Sequence, residues 1–94
     1  MVELPVEIGK LKHVKELYLD SNNLEVLRPE LGALKHLTDL WVSQNPLASM
    51  PREITQVLTL QTFGLDRVLL HALPSEILQF IEKQGITLFV DPYQ

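Results

Sequence analysis

The chain has 94 residues, 46% of them hydrophobic and 21% charged, with a formal net charge of −4 and no cysteine. This is the composition of one globular domain rather than a disordered chain, and it excludes a disulfide framework and a cysteine-based zinc site. The acidic balance argues against a nucleic-acid partner, which needs clustered Lys and Arg; the one basic grouping, Lys10, Lys12 and Lys15, is flanked by Glu7 and Glu16.

No apolar run reaches the roughly 20 residues that span a bilayer. Met1 is followed by acidic Glu3 rather than by a basic and then apolar leader. No Asn-x-Ser/Thr acceptor occurs. A cytoplasmic protein without a membrane partner is expected.

In chain order, the first element is Leu4-Pro5-Val6-Glu7-Ile8. Pro near a first helical position loses no needed N–H, and an early Glu meets the positive end of the helix dipole. This segment reads as a short helical start. Leu17-Tyr18-Leu19-Asp20 follows and alternates apolar with polar, the mark of a half-buried strand. Leu27-Arg28-Pro29-Glu30-Leu31 then repeats the first segment, and Leu40-Trp41-Val42 repeats the strand. Met50-Pro51-Arg52-Glu53-Ile54 and Phe63-Gly64-Leu65 repeat both again. Leu73-Pro74-Ser75-Glu76-Ile77 opens the last unit; residues 74–85 read as a fuller helix with an apolar face at positions 77, 78, 80 and 81. Gly85 is its stop. Residues 86–90 read as a final strand, ended by Asp91-Pro92.

The pattern returns every 23 residues, from Leu4, Leu27, Met50 and Leu73, with no insertion needed. Leu17 and Leu19 fall on Leu40 and Val42, on Phe63 and Leu65, and on Ile86 and Leu88. Asn22 falls on Asn45. One such unit cannot bury its leucines; stacked units cover one another.

These residues resemble the leucine-rich repeats of the 23-residue intracellular kind, with the consensus LPxEIGxLxxLxxLxLxxNxL, across nearly the whole chain. The resemblance implies an α/β solenoid of about four coils forming a single domain over residues 1–94. A parallel sheet would line the concave face, with short helical or extended returns on the convex face. In this frame Asn22 and Asn45 are the polar residues admitted inside, bonding backbone groups bared where the chain leaves the strand. Leaving such groups unpaired costs about 1–3 kcal/mol each. The third unit has Val68 where the Asn belongs, a change from polar pairing to apolar filling, and residues 66–94 read as a modified end that covers the stack. At the other end residues 1–3 are too few to hide the first unit. Leu4, Ile8, Leu11, Val14 and Leu17 are expected at an exposed edge, so the chain is either the last piece of a longer protein or buries that edge in a partner or a second copy of itself.

Side chains flanking the inward leucines point into the concave face. They are Glu16, Tyr18 and Asp20; Asp39, Trp41 and Ser43; Thr62, Gly64 and Asp66; and Gly85, Thr87 and Phe89. Tyr18 and Trp41 should stack as adjacent rungs about 4.8 Å apart. Gly64 beside Trp41 should leave an open space. The candidate partner-binding residues are Glu16, Tyr18, Asp20, Asp39, Trp41, Ser43 and Asp66: aromatic anchors between carboxylates that favour a protein with a basic surface. Aromatics that merely shield the sheet are the competing reading. His13 and His36 should lie together, but two ligands fall short of a metal site. No phosphate loop, nucleophile elbow or His-Glu-x-x-His motif is present, and no cofactor or catalytic role is assigned. The recurring Glu7, Glu30, Glu53 and Glu76 are read as helix-start residues.

Overall fold

In the structure, a computed structural model that describes residues 4–91, four parallel strands lie in the order β1-β2-β3-β4. They are β1 (Glu16–Tyr18), β2 (Asp39–Trp41), β3 (Thr62–Asp66) and β4 (Thr87–Asp91). The first three returns are short 3-10 helices, Val6–Lys10, Pro29–Ala33 and Arg52–Gln56. Two α-helices complete the chain, α1 (Arg67–Ala72) and α2 (Ser75–Gln84). Glu7, Glu30, Glu53 and Glu76 each sit in the first turn of a return, where the helix dipole favours an acid. Pro92, expected to end β4, and residues 1–3 lie outside the described residues.

The leucines form one continuous core between strands and returns. Leu31, Leu34, Leu37 and Leu40 are fully buried, and Phe63 takes the strand position of Leu40 in the next coil. The edge expected at the first coil is narrower than the sequence suggests. Leu4 and Ile8 are buried, Val14 and Leu17 pack partly against the core, and only Leu11 is well exposed.

Asn45 joins the first two coils. Its amide oxygen accepts from the N–H groups of Asn22 and Leu24, both at 2.9 Å. Its amide nitrogen donates to the carbonyls of Leu19, Val42 and Ser43 at 2.8, 2.9 and 3.2 Å. Asn22 is exposed and donates only to the Asp20 carbonyl among the bonds described for its side chain. The difference is geometric: Asn45 bonds back to the coil before it, and no earlier coil lies among the described residues for Asn22. Ser21 and Gln44, one repeat apart, take left-handed φ values of 60° and 63° to make the turn after each strand.

The third turn is rebuilt. Asp66, not position 68, supplies the polar group: its carboxylate caps α1 by accepting from the Leu69 N–H at 3.2 Å. Val68 does not fill the interior; it is 62% exposed, and Leu69 is buried instead. In α2, Ile77 and Ile81 face the core, Phe80 is partly buried and Leu78 is exposed. Gly85 takes φ 66°, and the Ile86 N–H bonds the Ile81 carbonyl at 3.0 Å, closing the helix in a Schellman turn.

These helices change the register. Leu17, Leu40 and Phe63 pair at the 23-residue step, but Phe63 pairs with Leu88 rather than Ile86, and Gly64 with Phe89. The last coil is therefore two residues longer than the repeat. An α-helical residue advances about 1.5 Å, against about 3.3 Å for a strand residue, so a return made of two α-helices spends more residues before it regains the sheet.

Candidate functional site

The strands place three rows of side chains across the concave face. The first row is Glu16, Asp39, Thr62 and Thr87, and the second is Tyr18, Trp41, Gly64 and Phe89. The third row is Asp20 and Ser43, just past the ends of β1 and β2, with Asp66 and Asp91, the paired last residues of β3 and β4.

The second row is an aromatic ladder. Tyr18 and Trp41 stack with centroids 6.4 Å apart and planes 13° apart. Trp41 and Phe89 meet at 5.2 Å and 33°, although a whole strand separates them. Gly64 makes this contact possible. A Cβ there would fall 2.1 Å from Trp41 Cε3; the indole lies flat over the glycine. The open space expected beside Gly64 is therefore filled by the indole itself. Tyr18 and Phe89 are 62% and 50% exposed, whereas Trp41 is partly buried between them, and its Nε1 is shielded and has no hydrogen-bond partner among the described residues.

Carboxylates border the ladder. The Tyr18 hydroxyl donates to Glu16 at 3.0 Å, and this bond to an anion, followed by desolvation and the charges of Glu16 and Asp39, raises the phenol pKa. The Asp20 carboxyl is also raised, first by desolvation and then by the charge of Asp91, while a bond from the Ser43 backbone N–H works the other way.

A cavity of about 520 Å³ opens where the strands end. Asp20, Ser43 and Gln44 line one part of it, Asp91 another, and Trp41 and Phe89 form its aromatic wall. Gln44 Nε2 donates to Asp91 Oδ2 at 2.6 Å, so coil two also touches coil four here.

Of the seven candidate residues, Glu16, Tyr18 and Asp20 are exposed and Asp39 and Trp41 half-buried. Ser43 is buried but lines the cavity. Asp66 is withdrawn: it is 3% exposed and occupied in capping α1. Gln44 and Asp91 are not among the candidates, and Phe89 stands one row away; the two-residue lengthening of the last coil displaced Phe89 and Asp91, while Gln44 sits in the left-handed turn after β2, where strand alternation does not reach. Outside this face, His13 and His36 stack at 5.9 Å, and no group of three or more possible metal-ligating residues occurs among the described residues. No described helix is long and apolar enough to cross a membrane.

No family model and no curated protein matches the chain. Among solved structures, a leucine-rich-repeat protein of Leptospira interrogans is 33% identical, with a TM-score of 0.74 over 97% of this chain. The chain spans 22% of the length of that protein. With its parallel sheet, its 23-residue coils and this agreement in sequence and backbone, the chain belongs to the leucine-rich-repeat family.

Proposed function

We propose that the chain is a protein-interaction module, the recognition part of a longer scaffolding, signalling or effector protein, and that it binds its partner through the concave face. One observation carries this reading: the ladder Tyr18–Trp41–Phe89 stands in front of the sheet with two of its rings half or more exposed. Exposed aromatics on a rigid support are common binding anchors, because they bury large areas at small entropic cost. Glu16, Asp20 and Asp39 add negative charge around them, which suits a basic partner surface. The reading needs no enzymatic chemistry, cofactor, nucleic acid or membrane.

The test compares the chain with a Tyr18→Ala/Phe89→Ala double variant as bait in cell extract, both checked for folding by circular dichroism. A partner kept by the parent and lost by the variant supports the concave face. Equal capture by both refutes it.

A second reading, self-association or stacking through the first coil, rests on Leu11, which is 48% exposed, while Val14 and Leu17 of the same coil are only partly buried. It predicts a concentration-dependent mass in sedimentation that Leu11→Glu abolishes and Tyr18→Ala leaves unchanged.

A further inference from the structure

We propose that the cavity at the strand ends receives one cationic side chain, a guanidinium or ammonium, from the protein that binds the concave face. This rests on the concave-face reading and specifies the partner's chemistry. Two independent features point to a cation. The first is charge: Asp20 and Asp91 both line the cavity, and none of the described residues lining it is basic. The second is the wall made by Trp41 and Phe89, whose rings meet at 5.2 Å. Aromatic walls exclude water from one side of a bound group, which strengthens its attraction to a carboxylate, and aromatic ring faces attract cations directly.

The remaining lining suits the same guest. Gln44 donates one of its two amide N–H groups to Asp91, and its carbonyl oxygen is an acceptor. A guanidinium carries five donors and no acceptor, an ammonium three, and the cavity offers carboxylate and amide oxygens to meet them. Its 520 Å³ admits a long basic side chain with part of the backbone that carries it. Desolvation first, and then the charge of Asp91, disfavour the ionised Asp20 carboxylate, and a positive guest offsets both.

The test titrates the isolated chain with N-acetyl-arginine amide, N-acetyl-lysine amide and N-acetyl-citrulline amide. Nitrogen–proton NMR follows the indole of Trp41, the single tryptophan, and the side-chain amide of Gln44. Saturable shifts of both signals by the arginine or lysine probe, and none by citrulline, are expected. Asp20 is exposed, so Asp20→Asn should fold; it weakens the response by roughly tenfold, the value of a lost charge-assisted hydrogen bond. Glu76→Gln, on the outer helix, changes net charge equally and leaves the response intact. Equal response to citrulline, no response to either cation, or an undiminished response of Asp20→Asn overturns the proposal. Failure here is distinct from failure of the concave-face reading: a partner lost by Tyr18→Ala/Phe89→Ala but kept by Asp20→Asn places the contact on the ladder and not in the cavity.

Discussion

Replacing Asn45 by Ala should be among the most destabilising single changes in the chain, and replacing Asn22 by Ala nearly harmless, although the two occupy the same place in the repeat. Asn45 is 4% exposed. Its removal strands the N–H groups of Asn22 and Leu24 and the carbonyls of Leu19 and Val42, while the Ser43 carbonyl keeps the Ser21 N–H at 3.0 Å. Each stranded buried group costs about 1–3 kcal/mol. Water can reach the Asn22 and Leu19 groups, which are only partly buried. The deep pair, Leu24 N–H and Val42 C=O, then dominates, for a loss of roughly 3–5 kcal/mol. Asn22 forfeits one exposed 3.1 Å bond, under about 1 kcal/mol.

Urea unfolding followed by circular dichroism measures both changes. The midpoint should fall steeply for Asn45→Ala with little change in slope, since the surface exposed on unfolding is similar. If that variant is unfolded in buffer, titration with a stabilising osmolyte recovers its deficit relative to the parent. Equal losses for the two variants would refute the reasoning, because they would mean that the bridge between coils carries no particular weight.

Gly64→Ala should displace the indole that lies over it, lowering stability by about 1–3 kcal/mol as overpacking does and shifting the Trp41 fluorescence; an unchanged spectrum and midpoint would place the ring elsewhere. Asp66→Ala should cost about 0.5–2 kcal/mol as a lost helix cap, whereas Val68→Asn, which restores the repeat residue, should stay within about 0.5 kcal/mol of the parent by urea unfolding. The Asp20 carboxyl is raised above its ordinary value of 3.8, so the folded state holds this proton to higher pH than the unfolded chain. Stability from this group is therefore highest at low pH and declines as pH rises through the interval just above 3.8. Asp20→Asn should remove that decline and leave the chain at least as stable as the parent at neutral pH, in thermal melts across an acid-to-neutral series.

The coils, the parallel sheet and the stop at Gly85 were legible because each rests on a pattern that local physics enforces. Alternation makes strands, spacing of leucines makes a stackable wall, and a glycine at a helix end takes the left-handed turn. The stack of Tyr18 on Trp41 follows from the same period. The last register was not legible. Counting 23 residues puts Ile86 beside Phe63, and only the number of helical residues spent in α1 and α2 moves Leu88 there. Position 68 misled for a related reason. A valine in an asparagine's place suggests apolar filling, but the cap had moved two residues upstream to Asp66, which looked like a face residue by alternation alone.

The cavity has its origin in this departure. In a regular stack each coil touches only its neighbours, at about 4.8 Å per rung, and a side chain on coil two would not meet coil four. Here coil three retreats from the face: Gly64 offers no side chain, and Asp66 turns inward to cap α1. The lengthened return then sets Phe89 opposite Gly64 and Asp91 opposite Asp66. Trp41 crosses the gap above Gly64 to reach Phe89, and Gln44 crosses it to reach Asp91. Among the described residues none of coil three lines the cavity, which is bounded by coils one, two and four. Two substitutions and a change of helix type thus convert a flat repeat surface into a concave, acidic, aromatic-walled site. Restoring a side chain at position 64 should close it, and a binding partner that needs the cavity should be lost with the ladder geometry even where Tyr18, Asp20 and Phe89 are untouched.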